Sequence, residues 1–153
     1  MSFDIEDQYD KIYRYCYLRV RNREIAEDLT QETFLRYLEH PQYHNIDKTL
    51  QLLYTIAGNL CTDEFRKRKP SELPEDTVSD EDIEETVLSS FSLQQALDRL
   101  PQEEREIILL RYINEVPVNV IGRLYNMSRF AVSRKIKKAL DTLHNTLGKE
   151  ELQ

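Results

Sequence analysis

The chain has no tryptophan, only three glycines, and no apolar run that approaches the roughly 18 residues of a membrane span. Scarce glycine and the lack of alternating β-branched runs argue against an all-β fold. The amino terminus, MSFDIEDQYD, is acidic and unlike a signal peptide, so a cytoplasmic protein without membrane insertion is expected. The two cysteines, Cys16 and Cys61, form no CxxC pair, and reduced, partly buried thiols are expected rather than a disulfide or a zinc site. His40 and His44 stand near Asp47, but the segment lacks further ligands, so no metal is expected. No nucleophile with a histidine base and no glycine-rich phosphate loop occurs, so neither an enzyme nor a cofactor is expected.

Charge is unevenly placed. The chain carries net charge −7, yet residues 71–90 (SELPEDTVSDEDIEETVLSS) hold eight acidic and no basic side chains, and the remainder sums to +1. The low overall pI therefore does not argue against a nucleic-acid partner. A segment with Pro70 before it and Pro74 within it, dense like charge and few large apolar groups cannot bury enough surface to offset its chain entropy, and a mobile connector is expected.

The sign reverses downstream. Between Val116 and Leu140 there are six Lys or Arg residues and no Asp or Glu. A short apolar helix carrying Val118, Ile121 and Leu124 meets a turn at Tyr125-Asn126-Met127, where Asn126 suits a left-handed conformation. Ser128 is placed to cap a second helix. At about 100° per residue, Val132, Ile136, Ala139, Leu140 and Leu143 of that helix share a core-facing arc. Phe130, Arg134, Lys137 and Lys138 point away, Ser133 lies on a flank and Lys135 near the core boundary. Two helices joined by a tight turn, the second basic, is the pattern that enters a DNA major groove.

Elsewhere the pattern is all-α, in two small helical domains. Helices are expected over Asp7–Arg19, Arg23–Glu39 (apolar at Ile25, Leu29, Phe34, Leu35 and Leu38) and Lys48–Lys69, with Asn22 capping the second. Ser92 and Gln95 have capping-box spacing, and Pro101 with Glu103 and Glu104 opens a helix running through Ile113.

AEDLTQETFLRYLEH (Ala26–His40), LLYTIAGNLCTDEFRKRK (Leu52–Lys69) and ALDRLPQEEREIILLRYI (Ala96–Ile113), followed by the helix-turn-helix, resemble an extracytoplasmic-function (ECF, group IV) sigma-70-type factor in order and spacing. The resemblance implies sigma region 2 at residues 1–70, an acidic linker at 71–90 and region 4 at 91–153. It implies core RNA polymerase and promoter DNA as partners, through the β′ clamp helices and the β flap. It places Asp28, Gln31, Glu32 and Phe34 at the polymerase-binding positions. Tyr43, His44 and Asn45 match the pocket that holds an unpaired minus-ten base, and Asn59, Arg66 and Arg68 match positions that face promoter DNA. Ser128, Arg129, Phe130, Ser133, Arg134, Lys135, Lys137 and Lys138 match the minus-thirty-five reader. The family often has an inhibitory anti-sigma partner, and the free chain is expected to be a monomer. Leu52 stands where the family often has Trp, and Gly58 where it often has Arg, which puts minus-ten melting in doubt. Arg129-Phe130 and Lys137 also depart from the common pattern, so an unusual minus-thirty-five preference is expected. Two alternatives stand beside this reading: a free-standing helix-turn-helix regulator, which leaves AEDLTQETFLR unexplained, and a sigma-like inhibitor or adaptor that does not initiate.

Overall fold

A computed structural model describes residues 4–40, 45–67 and 95–151. The acidic connector, Ser92, Tyr43, His44 and Arg68 lie outside the described residues. Every regular element among those described is helical.

Helix α1 spans Ile5–Val20, α2 spans Arg23–Glu39 and α3 spans Ile46–Lys67. Each begins at a side chain that satisfies an otherwise unpaired helix N–H. Asp4 accepts from Glu6 N at 3.0 Å, Asn22 from Ile25 N at 3.0 Å, and Asn45 from Asp47 N at 2.8 Å. The three helices pack around Ile12, Cys16, Ala26, Leu53, Ala57 and Cys61, all fully buried, and both cysteines are unbridged.

The face that α2 buries differs from the one expected. Leu35 and Leu38 are each 60% exposed, while Thr30, Thr33 and Tyr37 are buried beside Ile25 and Leu29. The threonine hydroxyls donate to the Ala26 and Leu29 carbonyls at 2.6 Å, so they bring no unpaired polar group into the core. Phe34 is half-buried, its ring 5.5 Å from that of Tyr9.

The second unit contains α4 (Gln102–Ile108), a continuing π-helical turn (Leu109–Ile113), α5 (Val118–Tyr125) and α6 (Arg129–Glu151). The expected helix to Ile113 therefore ends in a widened turn. Asn114 N donates to Leu109 O at 2.9 Å, Glu115 takes φ 58°, and Val116 N returns to Leu110 O at 2.8 Å. A non-glycine residue in the left-handed region is uncommon and costs about 1–3 kcal/mol. Here the turn aims Asn114 at the first unit. In α6, Val132, Ile136, Ala139 and Leu143 are buried as expected, whereas Leu140 is 38% exposed.

The two units meet through buried polar chemistry. Asn114 is 2% exposed; its amide donates to Lys11 O at 2.9 Å and to the Tyr54 hydroxyl at 3.0 Å, and its oxygen accepts from Arg14 Nε at 3.4 Å. Beside it, the Arg19 guanidinium donates to Gly58 O at 3.0 Å and Thr62 Oγ1 at 3.1 Å. Its Nε stands 3.7 Å from the buried Glu106 carboxylate, an ion-pair separation too long for a hydrogen bond. Tyr125 of α5 donates to the same carboxylate at 2.6 Å. A Cβ at position 58 would lie 3.1 Å from the Tyr15 hydroxyl, so Gly58 gives Tyr15 and Arg19 the room to approach α3. At the rim, Arg21 meets Asp98 at 2.8 Å and Asn119 donates to Asp47 at 3.0 Å.

Burial pushes the Tyr15, Tyr54 and Tyr125 hydroxyls well above the ordinary phenol range. The folded chain keeps these protons where the unfolded chain, with phenols near about 10, releases them. Stability is therefore expected to hold below about pH 10 and to fall as pH rises beyond it; denaturant melts across pH 7–11 measure this. Asn114→Ala leaves the Tyr54 hydroxyl and the Lys11 carbonyl short of a partner. It should cost about 1–3 kcal/mol in urea denaturation, and a change below about 0.5 kcal/mol would contradict a buried Asn114.

Candidate nucleic-acid interface

The helix-turn-helix is built around one close approach. Asn126 adopts φ 57°, the left-handed cap foreseen for the turn. Met127 N donates to Gly122 O at 2.7 Å, and a Cβ at position 122 would lie 2.6 Å from the Met127 carbonyl oxygen. Only glycine fits there, because the obstructing atom is backbone and cannot swing aside. Gly122 was missed from sequence; its place four residues before Asn126, next to the apolar Ile121 inside a helix, was the available signal. Ser128 accepts from Ala131 N at 3.1 Å and opens α6, as its position implied.

Along α6 the basic side chains divide into two sets. The Lys135 ammonium is held by Glu103 of α4, and Lys138 lies 3.8 Å from the buried carboxylate of Glu104. Both acidic residues had been read only as first-turn charges of α4. Arg134 and Lys137 are exposed and have no partner among the described residues. Arg129 lies 5.7 Å from the centroid of the Phe130 ring, itself 67% exposed. Ser133 is also exposed. Phe130, Ser133, Arg134 and Lys137 follow the i, i+3, i+4, i+7 spacing of a single helix face. That face carries fixed positive charge opposite the stripe that anchors the helix.

The described candidate minus-ten residues are spread along α3. Asn59 is exposed on α3 and lines a cleft of about 270 Å³ between the two units, with Tyr15, Arg19, Tyr54, Thr55 and Leu124. Arg66 is exposed at the carboxyl end of the same helix. Asn45 is committed to capping α3, though it remains exposed. No group of three or more His, Cys, Asp or Glu among the described residues is placed to hold a metal ion.

The α2 candidates form a surface of different character. Asp28 and Gln31 are exposed, and Glu32 is half-buried and bridged to Arg36 at 2.9 Å. By helical phase the exposed Leu35 and Leu38 fall among them, so the face joins hydrogen-bond acceptors to two leucines. Phe34 sits beside this face, packed on Tyr9 and Tyr37.

No helix among the described residues is long and apolar enough to cross a membrane. The family model for sigma-70 region 2 matches residues 5–70, and that for sigma-70 region 4 matches residues 96–145. The chain is 32% identical to the ECF RNA polymerase sigma factor SigW of Bacillus subtilis, over 94% of this chain and 87% of that protein. It is 33% identical to the ECF RNA polymerase sigma factor BldN of Streptomyces coelicolor, over 92% of this chain and 58% of that longer protein. Its fold matches the sigma factor RpoE solved with the anti-sigma factor NepR from Bartonella quintana, with a TM-score of 0.67 and 18% identity over 92% and 91% of the two chains. Sigma factors are not enzymes, and the two helical units correspond to regions 2 and 4 of such a factor. The chain belongs to the ECF group of the sigma-70 family of RNA polymerase sigma factors.

Proposed function

We propose that the chain is an initiating sigma factor that confers promoter choice on core RNA polymerase. In this reading residues 1–70 dock on the β′ clamp helices and capture an opened minus-ten strand. Residues 91–153 read the minus-thirty-five duplex and touch the β flap, and residues 71–90 connect the two as an acidic spacer. The observation that carries the reading is the division of charge on α6. Glu103 engages Lys135, whereas Lys138, although 3.8 Å from Glu104, stays exposed, so Arg129, Arg134, Lys137 and Lys138 are left for an external anion. Phosphates fix register and base edges specify sequence, and a helix of this kind offers groups for both.

Family membership supports core polymerase as the docking partner, and the α2 surface has suitable chemistry. Asp28 and Gln31 offer acceptors to a basic partner helix, while Leu35 and Leu38 supply apolar contact. The minus-ten strand is assigned to Asn59 and Arg66, with Tyr43, His44, Asn45 and Arg68 as the remaining candidates. Because Asn59 lines the cleft against α5, we read strand capture as following separation of the two units. A solved relative is held by an anti-sigma factor, and a protein inhibitor that binds a monomeric free chain is part of the proposal. Strand opening tests the reading: permanganate should oxidise unpaired thymines upstream of a start site only when polymerase and this chain are both present.

Asp28→Ala with Gln31→Ala should weaken core binding by roughly 1–3 kcal/mol, with helicity unchanged. Leu35→Ala should do the same without lowering the melting temperature, because Leu35 is outside the core. Core affinity equal to wild type in both variants would remove α2 as the docking face. On α6, Arg134→Ala should relax base preference at one or two positions, a loss of about 1–3 kcal/mol for a bidentate contact. Lys137→Ala should weaken every duplex alike and reduce the salt slope by about one. Identical, sequence-independent effects of both changes would rule out base reading by Arg134.

A further inference from the structure

Phe130 is the most exposed large hydrophobic side chain among the described residues, at 67%. A single exposed aromatic is ordinary on a protein surface and by itself says nothing. Three observations separate this one from that background. It stands on the first turn of α6, fixed there by the Ser128 cap, and the first turn of a recognition helix is the part that meets base edges. Nothing in the fold requires an apolar group at that position, since Val132, Ile136, Ala139 and Leu143 already supply the packed face. Its surroundings are cationic: Arg129 leans on the ring, and Arg134 lies one turn further along the same side. An apolar tip between unpaired cations suits a polyanion that also displays an apolar group.

In the major groove of duplex DNA the base edges present donors, acceptors and a single apolar group, the C5-methyl of a pyrimidine. Thymine carries it by default and cytosine only when methylated. We propose that Phe130 is a specificity-determining residue that reads a pyrimidine C5-methyl group in the minus-thirty-five duplex. The proposal rests on the assignment of α6 to that duplex. The Arg129 guanidinium, stacked at the ring, limits the ring's freedom and leaves its own charge directed at the phosphates. Arg134 and Lys137 then supply hydrogen bonds and charge, and Phe130 supplies methyl recognition that neither can.

The test uses the full chain with core polymerase and a duplex pool randomised across the minus-thirty-five segment. The selected sequence is resynthesised with deoxyuridine replacing thymine, one position at a time. This substitution removes the methyl group and changes no hydrogen bond in the groove. At one thymine the wild-type complex should bind about fourfold more weakly, the factor that corresponds to one buried methyl group. Phe130→Ala should bind the thymine and uracil duplexes equally, with an unchanged melting temperature. Cytosine at the same position should be disfavoured, and 5-methylcytosine should regain part of the loss, which separates reading of the methyl group from reading of the thymine edge. A selected element without thymine, or uracil tolerated everywhere by the wild type, overturns the proposal. If Arg134→Ala still relaxes base preference in that case, α6 remains the duplex reader and only the role of Phe130 falls. If Arg134→Ala is also without effect, the assignment of α6 falls with it.

Discussion

The arrangement of the two units depends on how a largely enclosed guanidinium is satisfied. Arg19 leaves α1 and gathers α3 through Gly58 and Thr62, α4 through Glu106, and α5 through the Tyr125 hydroxyl on that same carboxylate. Burial opposes its charge, while Tyr15 and Glu106 beside it hold it protonated above the usual arginine range. Removing Arg19 would leave the buried Glu106 carboxylate without its cation, which costs more than the loss of an exposed pair. The half-exposed Arg21–Asp98 pair at the rim contributes at most about 1 kcal/mol. The interior polar cluster, with Asn114 beside it, therefore sets the geometry, and the rim follows. Such contacts give direction where apolar contact alone would permit sliding.

That geometry has a functional consequence. Asn59 of α3, proposed above for the minus-ten strand, lines the cleft that α5 of region 4 closes. The α2 face with Asp28, Gln31, Leu35 and Leu38 remains exposed, as do Phe130, Ser133 and Arg134 on α6. The groups that join the units are thus different from those on the faces proposed for docking and duplex reading. Gly58 shows the same economy of space. Its small volume admits Tyr15 and Arg19, so the residue that departs from the family pattern is a packing element of this interface.

The sequence was most informative where chemistry is local. Asn22, Asn126 and Ser128 act as caps, and each needs only its own few neighbours to do so. The apolar stripe of α6 was also legible, apart from Leu140, because helical phase alone fixes it. Reading failed where a polar residue is satisfied by its own helix or by a distant one. Thr30 and Thr33 look like surface positions until their hydroxyls bond back to α2, and Leu35 and Leu38 were correspondingly misplaced in the core. Asn114 and Glu106 become meaningful only once α1 and α3 lie beside them, about a hundred residues away in the chain for Arg14 and Lys11. The ion pairs of Lys135 with Glu103 and Lys138 with Glu104 were equally out of reach of the sequence, since these partners are tertiary neighbours.

Family membership leaves one rival to the central claim, a sigma-like chain that binds polymerase without starting transcription. Run-off transcription with core polymerase on genomic fragments separates the two most directly. An initiating factor yields discrete transcripts that appear only when the chain is added and that share sequence upstream of their start sites. Stable binding to core polymerase with no such transcripts would contradict the account and identify the chain as an adaptor or inhibitor.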